Sequence, residues 1–466
     1  MSKSLSFRGL FLGIGLIVTP TSHADPSVAS STLNEHLGYQ GVSVGEPTSS
    51  QGARVTISAD RARASDYGGV IYTTSAQAWI NQVVRVSAVL ETASPDAKPW
   101  LWVRADGSSG KSIRFATSAG RPASDGALTN IDLRIPSDAT RVVFGVTMRG
   151  TGLVTARDVK LAMSDLRIPG GEASAEEVYN KALTVVLDNA YRSKNLAENV
   201  KDLRPELSRQ PGTGYQAEKA VHSLLRQLKD SHSMYVSPEE AYRYSRSGSN
   251  PDSASVTLID GEVGYVLMPA VGGTDPDLAL KFATEIGKKV RDINPKARCG
   301  WVVDLRANTG GSMWPMVSAL GLFFGDERLG GFKARNGSTN WWSMRSRWVT
   351  PIVGQSEARD AKIAVLLGPR TASSGEAVAV AFIGRENTQS FGVATSGQAS
   401  SNRKFPLPDG SAIYLTTAVD VDRSGREVGE RIVPDILLSE EVVASKEVPK
   451  EVLDWLTSSC PPRKLY

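Results

Sequence analysis

The stretch Lys362-Ile363-Ala364-Val365-Leu366-Leu367-Gly368-Pro369-Arg370-Thr371-Ala372-Ser373-Ser374-Gly375-Glu376, continued by Ala377-Val378-Ala379-Val380-Ala381-Phe382, decides how the rest of the chain is read. Its apolar, β-branched opening predicts a buried strand, Gly368-Pro369 a tight turn, and the small-residue run from Ala377 a helix. A strand that turns sharply into a helix lifts a hydroxyl clear of the sheet. The helix start then offers free N–H groups and a positive dipole end, which suits an oxyanion beside a nucleophile. Ser373 or Ser374 would either cap that helix or attack an electrophile. The turn alone leaves both roles open.

Upstream, Gly300-Trp301-Val302-Val303-Asp304-Leu305 predicts a second buried strand, followed by Arg306-Ala307-Asn308-Thr309-Gly310-Gly311-Ser312. Strands at 264–268, 300–305 and 362–367 alternate with helical spacing at Leu278, Phe282, Ile286 and Val290 and over 315–324. That alternation predicts an α/β layer with mostly parallel strands, whose following loops share one ligand-binding edge. Gly310 and Gly311 let the backbone approach a substrate and aim an N–H at it, with the Ser374 N–H as a second donor. A serine also needs a base, and imidazole titrates near neutrality. After residue 24 the histidines are His36, His222 and His232. His36 falls in the Ser/Gly/Pro-rich stretch 25–50, read as extended, and His222 sits beside Val221 on a predicted helix over Tyr215–Leu228. His232 stands between two serines at that helix's exit and is the candidate base.

Four segments, Leu228-Lys229-Asp230-Ser231-His232-Ser233, Val303 through Gly311, Thr371 through Glu376, and Ile432-Val433-Pro434-Asp435, together resemble the S41 serine peptidases. That family includes the C-terminal processing and tricorn-type proteases, and the likeness covers about residues 172–440. The resemblance implies an α/β protease core with crotonase-like ββα layers. It also implies a serine endopeptidase acting on peptide or unfolded protein, with no cofactor and no metal. Carried over by position, it implies Ser373 as nucleophile, Gly310, Gly311 and the Ser374 N–H as oxyanion hole, and His232 as base with Ser231 adjoining it. The processing branch's lysine would fall at Gln398 in Thr395-Ser396-Gly397-Gln398-Ala399, so a Ser-Lys pair is absent and the His-base branch is the nearer match. The family's orienting glutamate would fall at Val428, flanked by Glu427 and Glu430, either of which would serve in a loop of different length. No peptide-binding PDZ module is recognisable.

The remainder of the chain sets the context. Its 466 residues, 41% hydrophobic and 22% charged, have room for two or three domains. A formal charge of +4 without a dense Lys/Arg run argues against a nucleic-acid surface. Lys3 and Arg8 before the apolar run Gly9–Val18, then Ser22-His23-Ala24, predict a signal peptide over 1–24. The expected product is exported, periplasmic or secreted, with no transmembrane segment after cleavage. Over 52–165 the alternation of Val84, Val86, Ala88 and Leu90, and of Val142, Phe144, Val146 and Met148, predicts an all-β sandwich. Trp100-Leu101-Trp102 resembles the central strand of jelly-roll modules that bind carbohydrate, so a carbohydrate partner is a further expectation. The chain is thus read as multidomain, with an accessory sandwich (52–165), a small helical domain carrying the histidine (172–250), a catalytic core (254–440) and a C-terminal helix and tail (441–466). Cys299 and Cys460 could pair in an oxidising compartment or stay free. Two other readings stand beside the peptidase: a catalytically inactive S41-like binding protein, and a carbohydrate-targeted protein whose sandwich does the main work.

Overall fold

A computed structural model describes residues 28–33, 38–48, 50–61, 65–118, 126, 128–192, 205–246, 254–273, 275–429, 431–445, 447–458 and 460. The expected signal peptide, His36 and Glu430 lie outside the described residues. The chain divides after Ser164 into two compact units.

The first unit holds strands β1 (Ala29–Leu33), β2 (Tyr39–Val44), β3 (Ala53–Ala59), β4 (Tyr67–Ser75) and β5 (Val83–Thr92). It continues through β6 (Lys98–Gly107), β7 (Ser112–Thr117), β8 (Leu128–Arg134), β9 (Ala139–Arg149) and β10 (Gly152–Met163). They form two five-stranded sheets, ordered β1-β4-β9-β6-β7 and β2-β3-β10-β5-β8. The period of two sends Val86, Ala88 and Leu90 of β5, Leu101 and Val103 of β6, and Phe144 and Val146 of β9 into one shared core. Trp100 and Trp102 take the opposite face of β6, where Arg149 and Arg104 lie over their rings and Trp102 Nε1 donates to Thr147 Oγ1. The stretch 25–50, read as merely extended, supplies β1 and β2. Backbone pairing to β4 and β3 forms them, with Val42 and Val44 left exposed, so no clean apolar alternation marked them in advance.

The second unit opens with α1 (Ala175–Asn189), α2 (Glu218–Arg226), β11 (Met234–Val236) and α3 (Pro238–Arg246). A six-stranded sheet follows, ordered β12 (Ser255–Ile259), β13 (Val263–Leu267), β14 (Trp301–Asp304), β17 (Ile363–Leu367), β18 (Thr388–Gly392) and β21 (Ile436–Leu437). Every pairing from β13 to β21 is parallel, and β12 is an antiparallel edge. The helices α4 (Pro276–Ile293), α5 (Met313–Ala319) and α6 (Ser374–Phe382) bring Ile286, Val317 and Val378 against Val303, Val365 and Leu367. On the other face, Val452 and Leu456 of α8 (Lys450–Thr457), which follows α7 (Glu440–Ala444), pack on Val302, Ala364 and Leu366. Burial on both faces explains the unbroken apolar runs of β14 and β17.

A second sheet, ordered β11-β20-β15-β16, is built from β15 (Gly330–Ala334), β16 (Thr339–Trp342) and β20 (Ala412–Asp422), with β19 (Ser400–Pro406) paired to β20. The helices expected at 172–250 have no core of their own. Val178 and Val186 of α1 and Leu224 of α2 share one with Leu407, Ile413 and Leu415 from the β19–β20 hairpin, because two short helices bury too little apolar surface alone.

Cys299 and Cys460 are disulfide-bonded across 161 residues of chain, fastening the end of α8 beside the entry to β14. Closing so long a loop restricts the unfolded chain. Cys460→Ser is expected to lower the unfolding free energy by about 2–4 kcal/mol. Urea denaturation of both proteins checks this, and equal midpoints would remove the stabilising role.

Candidate active site

The end of β17 is tied to the end of β14 before the chain turns. The Gly368 N–H donates to Thr371 Oγ1 at 3.0 Å, and that hydroxyl donates to Leu305 O at 2.8 Å. Ser373 then takes φ 53° and ψ −121°. For a non-glycine residue such a conformation costs about 1–3 kcal/mol and persists only where the surroundings over-determine it. Here Glu376 holds it. The buried carboxylate accepts the Ser373 N–H at 2.8 Å, Thr395 Oγ1 at 2.5 Å, and the N–H groups of Gly397 and Gln398 at 3.1 and 2.9 Å. Burial pushes the Glu376 pKa up, while those donors pull it down. Behind it the Asp420 carboxyl is buried, with no hydrogen-bond partner for either oxygen among the described residues. Burial, with the Glu376 charge adding to it, pushes the Asp420 pKa well above its ordinary value.

The strained turn sets Ser373 Oγ 2.9 Å from His232 Nε2. His232 lies two residues past Asp230, whose Oδ1 accepts the His232 N–H at 2.8 Å and whose Oδ2 accepts from Ser233 Oγ at 2.6 Å. Asn402 Nδ2 donates to the His232 carbonyl at 2.8 Å. The ring's other nitrogen, Nδ1, is 2.7 Å from Ser400 Oγ. Only 4% of His232 is exposed, and burial pushes its pKa below the ordinary 6.5 against the opposing pull of Asp230. Ser231 is exposed, on the turn between Asp230 and the histidine.

Gly310 and Gly311 have φ of 105° and 102°, in the region that favours glycine. A Cβ on Gly310 would lie 2.9 Å from Ala372 O and from Ser373 Cβ, so only glycine admits so close an approach to the serine turn. The Gly310 N–H, expected as an oxyanion donor, instead donates to Asn308 Oδ1 at 3.0 Å within its own loop. Ser374 Oγ donates to Gly311 O at 2.7 Å and locks the two loops together. Asn308 is fully buried, with Nδ2 donating to Met268 O and Pro269 O at 3.1 and 3.0 Å.

Of the residues singled out from sequence, Ser373, His232, Gly310, Gly311 and Ser374 therefore converge. Glu427 does not join them: its carboxylate pairs with Lys333 Nζ at 3.0 Å and is half exposed. The Val428 N–H donates to Asp420 O at 3.1 Å. Ser400, Asn402 and Asn308 were not anticipated. Asn308 stood inside a quoted loop, but Ser400 is 168 residues from His232 and carried no local signal.

Residues 262–438 match the model of peptidase family S41. The nisin-resistance protein of Lactococcus lactis subsp. lactis is 29% identical over 172 residues, which are 36% of this chain and 53% of that protein. A carboxy-terminal-processing protease of Bartonella bacilliformis is 25% identical over 187 residues, 39% of this chain and 40% of that protein. The chain thus spans about half or less of the length of these curated relatives. A lipoprotein from Streptococcus agalactiae shares the fold with a TM-score of 0.53 at 23% identity, covering 63% of this chain and 99% of that one.

Glu376→Gln would set an amide NH2 among donors that need an acceptor. Leaving a buried N–H unsatisfied costs about 1–3 kcal/mol, and a loss of that size is expected in urea denaturation. A variant as stable as wild type would show that the carboxylate does not anchor the turn.

Proposed function

Residues 262–438 being a domain of peptidase family S41, we propose that this protein is an exported serine endopeptidase that uses Ser373 and His232 on peptide or unfolded-protein substrates. The observation that carries the reading is the 2.9 Å contact between Ser373 Oγ and His232 Nε2 at a strained strand-to-helix turn. Ser373 Oγ attacks the scissile carbonyl carbon while Nε2 takes its proton, and the carbonyl π pair moves onto oxygen. The N–H groups of Gly311 and Ser374 receive that oxyanion, beside the opening that Gly310 leaves. As the tetrahedral adduct collapses, the C–N bond breaks and Nε2 returns the proton to the departing amine. Water then repeats the sequence on the acyl-serine. The signal-peptide pattern at 1–24 supports export. The sandwich would be an accessory module, and a carbohydrate partner for it is a secondary element of this reading.

A fluorophosphonate is expected to label wild type and not Ser373→Ala. Hydrolysis of a quenched peptide library should fall about 10⁴-fold or more in Ser373→Ala and His232→Ala. A wild type that neither labels nor cleaves would sink the hydrolase reading in favour of a binding protein. The pH profile gives a second check. Nε2 must be unprotonated to act, and burial pushes the His232 pKa down, so kcat/KM should fall to half on the acid side below pH 6.5. A midpoint at or above that value would contradict the assignment of this buried base.

A further inference from the structure

We propose that Ser400 is the positioning residue of His232, occupying the place at the imidazole that an acid would otherwise hold. This rests on the reading of Ser373 and His232 given above. For Nε2 to accept the proton of Ser373 its lone pair must be free, so the ring proton belongs on Nδ1, which then donates to Ser400 Oγ at 2.7 Å.

The hydroxyl is placed by more than one anchor. Ser400 opens β19, its partner across β20 being Val419. Two residues on, Asn402 grips the His232 carbonyl and accepts from Thr416 Oγ1 at 2.9 Å. One strand end therefore holds the histidine by both ring and main chain. The Ser400 N–H donates to Gln398 O at 2.7 Å, and the Gln398 N–H donates to Glu376, the carboxylate that also holds the Ser373 N–H. Nucleophile, base and Ser400 thus share one buried reference point.

Among the described residues, no carboxylate is hydrogen-bonded to the ring at Nδ1. Asp230, on the histidine's own loop, is taken by the His232 N–H and Ser233 Oγ. Glu376, on α6 behind the serine, has four donors. Asp420 of β20 donates its N–H to Ala399 O and lies behind the 395–399 loop. Glu427 is paired with Lys333. A hydroxyl fixes the Nδ1–H tautomer as a carboxylate does, but adds no full charge to steady the imidazolium. The site thereby trades basicity for action at lower pH, in line with the effect of burial on this ring.

The test combines ¹⁵N-imidazole NMR of the full chain with kinetics on Ser400→Ala, Ser400→Thr and Ser400→Asp. Wild type should show His232 as a single Nδ1–H tautomer. Ser400→Ala should lose that tautomer preference and about 10-fold in kcat with KM unchanged, and Ser400→Thr should restore both. Ser400→Asp should raise the His232 pKa by about 1–3 units and carry the acid limb of the pH profile up with it. An unchanged tautomer and kcat in Ser400→Ala, or an unmoved pKa in Ser400→Asp, would overturn the proposal. NMR reads the ring whether or not a peptide is cleaved. Failure of the hydrolase reading, seen as absent phosphonate labelling, is therefore distinct from failure of this one.

Discussion

The geometry of the site depends on one buried carboxylate. Glu376 gathers the N–H of Ser373 from its own helix start and the N–H groups of Gly397 and Gln398 from a loop beyond β18. A carboxylate accepts at both oxygens and donates at neither, so it can collect several donors that a neutral side chain could not. Its burial is tolerable only because those donors replace water. The same group holds Ser373 at a positive φ and fixes the loop that leads into Ser400. Strain at Ser373 is therefore balanced by hydrogen bonds a few ångströms beneath it.

Around that anchor the sheet supplies direction. β14 and β17 are parallel neighbours, so the loops leaving Asp304 and Leu367 emerge on the same edge. Thr371 bonds to Leu305 O, and the Ala372 N–H bonds to Asn308 O at 3.0 Å. These bonds bring Gly310 against the serine turn. The histidine comes from elsewhere, on the loop after α2, and is supported by Asn402 of β19 at its carbonyl and by the Thr416 N–H of β20, which donates to Ser233 Oγ. The candidate site is thus assembled where two sheets and a helical pair meet within the second unit. Among the described residues the buried Asp420 carboxyl has no hydrogen-bond partner, and burial raises its pKa.

Among the described residues, the imidazole meets a hydroxyl at Nδ1 and not a carboxylate. The acid that the resemblance places near 427–430 is represented by Glu427, drawn outward to Lys333. Val428 is partly buried against the core. A hydroxyl stands at Nδ1 instead. At a ring this buried, an adjacent full charge would raise the basicity, and among the described residues burial is the dominant influence.

Local chemistry determined much of this protein. Apolar runs marked β14 and β17, alternation marked the sandwich, and the serine turn, glycine pair and His232 loop were all legible as short motifs. Period, turn residues and helix-start residues are properties of neighbours along the chain, and a sequence displays them directly. Tertiary structure decided the rest. It paired the low-contrast stretches 29–33 and 39–44 as sheet edges, merged the helices after 172 into a core with the β19–β20 hairpin, and joined Cys299 to Cys460. It also chose Ser400 over Glu427 as the neighbour of His232. Each of those outcomes joins residues distant in sequence, through backbone pairing or a single side-chain contact. Such contacts leave no periodic trace, because one polar atom placed by a strand register looks in sequence like any other surface serine.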